Sequence, residues 1–349
     1  MLRRNNMGFF DRFSESQDMG IDLGTANTLI YVPGKDIVLN EPSVIAIDVE
    51  RQQTIAVGEE ARKMLGRTPV NVKTIRPLKD GVITDIKITE MMLREFIRKV
   101  RGNNSLSRSR IIIGVPSGIT TVERRAVEEA MESSGAIENI EFIDEPVAAA
   151  LGAGLPVEEA VGSMIVDIGG GTTEVAVLSY QGIVYSDSVR VAGDEISESI
   201  SRHLKRVYNL IIGERTAEQI KIQLGSAYPT ENEPQDMEIR GLYMVSGLPK
   251  TVIITAEEIR ACIVDPVGVI VEAIKKTLEQ TPPELAGDII DRGIMLAGGG
   301  ALLRGIDSLI TNETGIVTHI APNPLQCVVY GTGKVLEDYN RLGRVSRRR

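Results

Sequence analysis

The sequence predicts an α/β fold built as two similar halves, and three observations carry the prediction. β-rich and α-rich stretches alternate along the chain, the pattern of sheets covered by helices. MGIDLGTANTLIYV (19–32) and MIVDIGGGTTEVAVLS (164–179) share one plan: apolar run, aspartate, a turn of small residues, apolar run. The repetition then continues downstream. RIIIGVPSG (110–118) leading into ITTVERRAVEEAMESSG is matched by RGIMLAGGGALLRGIDSLITNETG (292–315), each a strand, a turn and a helix, and EPVAAALGAG (145–154) is echoed by NPLQCVVYGTG (323–333).

In chain order, DIVLNEPSVIAIDV (36–49) reads as strands after the first hairpin. Residues 50–85, with the polar turn ERQQ and the proline-containing pieces GRTP and IRPLKDG, read as a small inserted subdomain. TEMMLREFIRKVRG is an amphipathic helix in which Met91, Met92, Glu95 and Phe96 recur at helical spacing, with its methionines expected in the core. RGNNSLSRSR (101–110) is a surface loop. After the second hairpin, DEISESISRHLKRVYNLIIG reads as one helix and ERTAEQIKIQLGSA as another, opened by a capping box of Thr216 and Gln219. YPTENEPQDMEIRG is a polar connection, and MEIRGLYMV and TVIITA are strands, so a second insertion at about 193–254 mirrors the first.

A chain of 349 residues has room for two domains with sizeable cores, and 42% apolar with 25% charged residues is ordinary for a soluble globular protein. Cys262 and Cys327 both fall in apolar helical context; they read as buried thiols, exclude a disulfide framework and fit a reducing cytoplasm. With only His203 and His319 besides, no zinc-ligand spacing exists. No run approaches the roughly 18 apolar residues of a spanning helix, and the N-terminus lacks a signal peptide's apolar region and cleavage site.

The net charge of −9 is unevenly placed. Arg3, Arg4 and Arg12 face only Asp11 at the N-terminus, and 341–349 holds arginines without an acid, so the body between is more acidic than the whole. An acidic body argues against nucleic acid as a partner. The basic ends are either solvated tails or contacts to an acidic surface such as lipid. Phe9, Phe10 and Phe13, out of five phenylalanines in the chain, crowd the N-terminal segment. On a helix Leu2, Phe9 and Phe13 share one side with Phe10 flanking it, an apolar stripe that needs a surface to bury against.

Neither the P-loop nor the Rossmann glycine pattern is present, so nucleotide phosphates, if bound, are held another way. GGGTT is longer than a hairpin connection requires. It is either a loose hairpin or a cradle of backbone N–H groups for an anion, and the second copy favours the cradle. Asp22 and Asp167 end their strands beside the two turns. Each is either the start of an Asx-turn or a carboxylate holding the water shell of Mg²⁺, and duplication favours the metal. Glu145 follows the strand IEFID and precedes Pro146, while its duplicate position is Asn323, which cannot act as a base. It is either an exposed loop carboxylate or, if the halves face each other, a group that orients or deprotonates an attacking water beside the Thr172 hydroxyl. The glycines of AGGGALLRG either admit a base or ribose to the backbone or pack a helix start against a strand.

DLGTANT, DIGGGTTE, GVPSGITTVERRAV, EPVAAALGAG, GERTAEQIK and AGGGALLRG, in that order between about 18 and 340, resemble the MreB family of bacterial actin homologues within the actin/Hsp70/sugar-kinase superfamily. The resemblance implies an actin-like α/β fold: two duplicated domains with mixed five-stranded sheets around a nucleotide cleft, each with a small insertion subdomain. Its implied parts are an N-terminal amphipathic membrane-binding segment (1–17), a first large subdomain (18–42, 86–155 and 325–349) with its small insertion (43–85), and a second large subdomain (156–192 and 255–324) with its insertion (193–254).

The implied cofactors are ATP and Mg²⁺. Thr25, Ala26 and Asn27 would meet the phosphates from one side and Gly170, Gly171 and Thr172 from the other. Glu214, Arg215, Thr216 and Ala217, with Gly298, Gly299, Gly300 and Ala301, would hold adenosine. Asp22 and Asp167 would hold Mg²⁺ through water, and Glu145 matches the family's catalytic glutamate, with Thr172 beside it. The implied function is a cytoskeletal one: membrane-associated filaments with slow ATP hydrolysis that direct cell-wall synthesis and maintain cell shape. The implied partners are further copies of the chain, the inner face of the cytoplasmic membrane through Phe9, Phe10 and Phe13, and proteins of the cell-shape and wall-synthesis complex; the expected location is cytoplasmic and peripheral at that membrane. A small-molecule (sugar) kinase or a plasmid-segregating actin of the same superfamily are the alternatives. A kinase would need a catalytic aspartate facing the γ-phosphate, and an Hsp70-type chaperone a further β-rich domain; the sequence offers no clear candidate for either.

Overall fold

A computed structural model describes residues 18–102, 109–133, 139–231 and 234–346. Phe9, Phe10 and Phe13, most of the loop 101–110 and the last three arginines lie outside the described residues. Two five-stranded sheets form the body. The first orders its strands Ile140–Asp144, Ile111–Val115, Met19–Leu23, Asn27–Val32 and Asp36–Pro42; the second orders Thr318–Ile320, Ile294–Ala297, Ser163–Ile168, Thr173–Ser179 and Gly182–Val189. In both, three strands run as an antiparallel meander and two further strands continue in parallel beside the first. The predicted duplication is therefore one topology used twice. Strands such as IIIGV and SMIVDI are buried along their whole length, because helices cover both faces of a sheet with parallel crossovers.

Register carries the duplication down to single residues. Asp22 stands opposite Leu29 and Gly114, and Asp167 opposite Glu174 and Ala297. The turns close with Leu23 against Thr28 and Ile168 against Thr173, so they have the same length.

Two crossings join the halves, the helices Glu145–Gly152 and Cys327–Glu337, which pack on each other. The run of small residues in EPVAAALGAG and GTG is what permits this approach. A Cβ on Gly331 would stand 1.9 Å from the Ala148 carbonyl oxygen, and one on Gly20 2.2 Å from Thr332 Oγ1.

Each half carries a smaller sheet. Gln53–Val57, Ile45–Asp48 and Val72–Ile75 form one, with helix Glu59–Met64 and a small core of Val44, Ala46 and Ala61. Leu210–Ile211, Asp236–Tyr243 and Leu248–Thr255 form the other, beneath helices Gly193–Tyr208 and Glu214–Leu224. Ile196, Ile200, Ile220, Ile239 and Ile254 run this second small sheet's core into that of the large sheet.

Two sequence expectations change here. The helix read through DEISESISRHLKRVYNLIIG ends at Tyr208, because Asn209 takes a left-handed conformation (φ 52) that short polar side chains tolerate, and fully buried Leu210 starts a strand. Thr216 caps nothing: helix Glu214–Leu224 already begins after Gly213, with no side-chain cap, and Thr216 N donates to Gly213 O within its first turn. Met92 and Phe96 are buried and Met91 packs against the same core. Both cysteines are free thiols, Cys327 buried and Cys262 half-buried, and burial pushes each up to about 12. Among the described residues no helix is long and apolar enough to cross a membrane.

Candidate functional site

A cleft of about 460 Å³ opens between the two sheets, with both glycine- and threonine-bearing turns on its walls. The carbonyls of the first turn are tied outward: Ser43 Oγ donates to Gly24 O (2.7 Å) and Ser43 N to Ala26 O (2.9 Å). Those of the second are tied by the start of helix Gly193–Tyr208, Gly193 N to Gly169 O (3.2 Å) and Asp194 N to Gly170 O (2.7 Å). A trans peptide directs its N–H opposite to its carbonyl, so the amides of Thr25, Asn27, Gly170 and Gly171 point away from these anchors. The turns also touch each other. A Cβ on Gly170 would lie 2.8 Å from that of Ala26, and one on Gly171 3.0 Å from Thr25 Oγ1, which itself accepts from Gly81 N at 3.1 Å.

Three carboxylates meet at the cleft floor. Asp22 and Asp167 sit at the ends of the central strands, and Glu145 opens helix Glu145–Gly152. Gly114, inside an otherwise apolar strand, lets Val328 pack closely beside this floor: a Cβ there would lie 2.9 Å from Val328 Cγ1 and in ordinary contact, 3.6 Å, with Glu145 Cγ. Burial pushes Asp22 up to about 7. Burial and then the charges of Asp22 and Glu174 push Asp167 up to about 8. Glu145 is raised well above the ordinary carboxylate range by burial first and then by Asp22, Glu174, Asp167 and Asp144. The charges that raise Glu145 are thus those of other acids. Such a floor fits a divalent cation, which would supply the missing positive charge. Among the described residues no three of these groups come together closely enough to ligate a metal directly, which fits a hydrated Mg²⁺ that keeps its waters.

Of the residues expected at the nucleotide, Thr25, Ala26, Asn27, Gly170, Thr172, Gly298, Gly299 and Gly300 line this cleft beside Asp22, Glu145 and Asp167. Gly171 is not on its wall but beneath Asp80, whose N lies 2.8 Å from where a Cβ would be. Ala217 and Ala301 point into the core. Glu214 and Arg215 are exposed at the outer end of their helix with Thr216 behind them, and the same helix faces the cleft one turn later with Glu218, Lys221 and Ile222.

A family model described as MreB/Mbl protein matches residues 16–344. The chain belongs to the MreB/Mbl family. It is 53% identical over 327 residues to the cell shape-determining protein MreB of Escherichia coli (strain K12), covering 92% of this chain and 94% of that protein. The crystal structure of MreB5 of Spiroplasma citri bound to AMPPNP superposes with a TM-score of 0.89 at 38% identity, over 94% of this chain and 98% of that one. A MamK double helical filament shares the fold at a TM-score of 0.77 and 20% identity, covering 93% and 99%. The fold is actin-like.

This MreB/Mbl chain also places in the cleft residues that the sequence reading did not assign to it. Arg76 reaches in from the end of the first small sheet, while Asp194 reaches in from helix Gly193–Tyr208 and Lys221 from helix Glu214–Leu224. Lys221 Nζ donates to Gly193 O (2.9 Å) and pairs with Glu218 (2.6 Å). Glu174, only 1% exposed, accepts from Ser117 of the opposite half (2.6 Å) and from Ser188 on the neighbouring strand (2.5 Å). Arg76 lies in IRPLKDG, a segment with no local signal for a cleft residue; only the folded pairing reveals it.

Proposed function

We propose that this MreB/Mbl chain is an actin-like cytoskeletal protein that binds ATP with Mg²⁺ in the cleft, assembles into filaments, and hydrolyses the nucleotide slowly to set their turnover. The observation that carries the reading is the acidic cleft floor set between two facing phosphate-type turns, and the AMPPNP bound to MreB5 of Spiroplasma citri supports it. Thr25, Asn27 and Gly170 would cradle phosphate through their amides, and Asp22 and Asp167 would hold the hydrated Mg²⁺, which supplies charge neutralisation when bound. With that positive charge beside it, Glu145 would release to solvent the proton that its acidic surroundings favour, and as a carboxylate would accept a proton from an attacking water that Thr172 orients.

The chain has two unlike ends, so head-to-tail stacking is a heterologous contact that grows open filaments. That the Escherichia coli relative is a cell shape-determining protein supports a place in wall synthesis. We further infer that the chain divides into two large and two small subdomains and that its N-terminus contacts the membrane through Phe9, Phe10 and Phe13. Electron microscopy and light scattering with ATP–Mg²⁺, with and without anionic vesicles, test it. A chain that stays monomeric at high concentration under all these conditions sinks the cytoskeletal reading. Equal pelleting with vesicles by the parent and a Phe9→Ser, Phe10→Ser, Phe13→Ser variant sinks the anchor.

A further inference from the structure

Arg76 spans the mouth of the cleft. It follows strand Val72–Ile75 of the first small sheet, and its guanidinium nitrogens lie 3.6 Å from Asp194 Oδ1 and 3.5 Å from Glu214 Oε2. Asp194 sits in the first turn of helix Gly193–Tyr208, and Glu214 opens helix Glu214–Leu224. The start of the first of these helices is bonded to the phosphate-type turn, through Gly193 N to Gly169 O and Asp194 N to Gly170 O. A continuous path therefore runs from the second turn, through the helix start, across Arg76 to the first small sheet.

The crossing is weak by construction. Its two separations exceed the ordinary N–H···O range, and the acceptor side chains are 42% and 74% exposed. Arg76 Nε is buried without a hydrogen-bond partner among the described residues, an uncompensated desolvation cost. Burial raises Asp194, an effect that the charges of Arg76 and Lys221 only partly offset. A contact of this kind does not rivet two bodies together; it leaves open and closed arrangements close in free energy, so that a ligand can decide between them.

We propose that Arg76 is a positioning residue: a reversible strap that transmits occupancy of the Gly169–Thr172 turn to the first small sheet and holds the cleft shut over a bound nucleoside triphosphate. The inference rests on the nucleotide-binding reading above and adds the regulation of that site. It also gives Glu214 a role as the strap's outer anchor. The planar fork of arginine serves two carboxylates at once, which a lysine ammonium does not reproduce.

The test is release of a fluorescent ATP analogue from the full chain with Mg²⁺, followed by stopped flow for the parent, Arg76→Ala, Arg76→Lys, Glu214→Gln and Arg76→Ala/Glu214→Gln. Loss of two partly exposed ion pairs predicts release about 5- to 10-fold faster in Arg76→Ala. Arg76→Lys should be intermediate, Glu214→Gln smaller, and the double variant no faster than Arg76→Ala, because both changes cut one contact. Melting of the nucleotide-free chain should be unchanged, which a merely structural arginine would not allow. Should Arg76→Ala fold poorly, Arg76→Lys and the exposed Glu214→Gln carry the same comparison. Release at the parent rate in these variants, or additive effects in the double variant, overturns the strap alone. A parent chain that takes up no analogue overturns the nucleotide reading and the strap with it.

Discussion

Gly152 lies against the carbonyl of Cys327 so closely that a Cβ added to it would stand 1.8 Å from that oxygen. With the reciprocal contact of Gly331 on Ala148, it fixes the distance between the two helices that join the halves. Gly152→Ala and Gly331→Ala must therefore push backbone against backbone, with no flexible side chain to yield. We expect losses at or above the upper end of the roughly 1–3 kcal/mol typical of overpacking. Gly268, inside helix Val264–Glu279 with open space where its Cβ would go, is the contrast. Gly268→Ala should gain about 0.5–1 kcal/mol from helix propensity. Melting temperatures of the three variants check the pair of signs.

The acids of the cleft floor couple stability to pH. Asp22 and Asp167 rise from 3.8 to about 7 and about 8 in the folded chain, so between pH 4 and 8 the folded state binds more protons than the unfolded one. Stability of the nucleotide-free protein then falls as pH rises through that window, by an amount on the order of a few kcal/mol shared by the coupled pair. In the proposed site Asp22 and Asp167 hold the hydrated Mg²⁺ as carboxylates, so binding of Mg²⁺–nucleotide would draw on their ionised forms. Its affinity should therefore rise over the same interval, with protons released on binding. Urea midpoints from pH 5 to 8 measure the first effect, and calorimetry in buffers of different ionisation enthalpy measures the second. Asp167→Asn should flatten both curves; unaltered slopes in that variant would remove Asp167 as a source.

What the sequence discloses about this site follows from how local each feature is. Asp22, Asp167 and the turns that follow them are written in single contiguous motifs, and their repetition gives each copy a check on the other. Glu145 is legible for the same reason, since a strand, an acid and a proline stand together. Arg76 and its partners Asp194 and Glu214 come from different insertions and share no period, so no window of sequence contains their relation. The fold shows the same division. The end of helix Gly193–Tyr208 is decided by burial of Leu210 in a sheet edge, a tertiary demand that the helical pattern of the segment does not reveal. Glu214 to Ala217 form a recognisable run, yet helix geometry turns Ala217 into the core and brings Glu218 and Lys221 to the cleft.

Glu145 provides the direct test of the chemistry. Glu145→Gln keeps the side chain's volume and one acceptor oxygen but cannot take a proton from water. Nucleotide binding should persist, while phosphate release in a single turnover slows by on the order of 10²- to 10⁴-fold. Hydrolysis at the parent rate in this variant would show that another group serves as the base.

Ser117 and Ser188 donate to the same buried carboxylate, but only one of them crosses between the halves. Ser188 stands opposite Glu174 in the register of adjacent strands, so its bond belongs to the second sheet whatever the cleft does. Ser117 comes from the loop after strand Ile111–Val115 of the first sheet, and its bond exists only while the halves stay together. A hydrogen bond to a charged acceptor contributes about 1.5–3 kcal/mol, or tenfold and more in an equilibrium constant. Ser188→Ala should therefore lower the melting temperature of the nucleotide-free and nucleotide-bound protein alike. Ser117→Ala should weaken nucleotide affinity by about tenfold, because the closed arrangement loses a contact that the open one never makes. Calorimetric titration alongside melting curves separates the two. If both variants shift affinity and melting to the same extent, the bond from Ser117 is no more a link across the cleft than the one from Ser188.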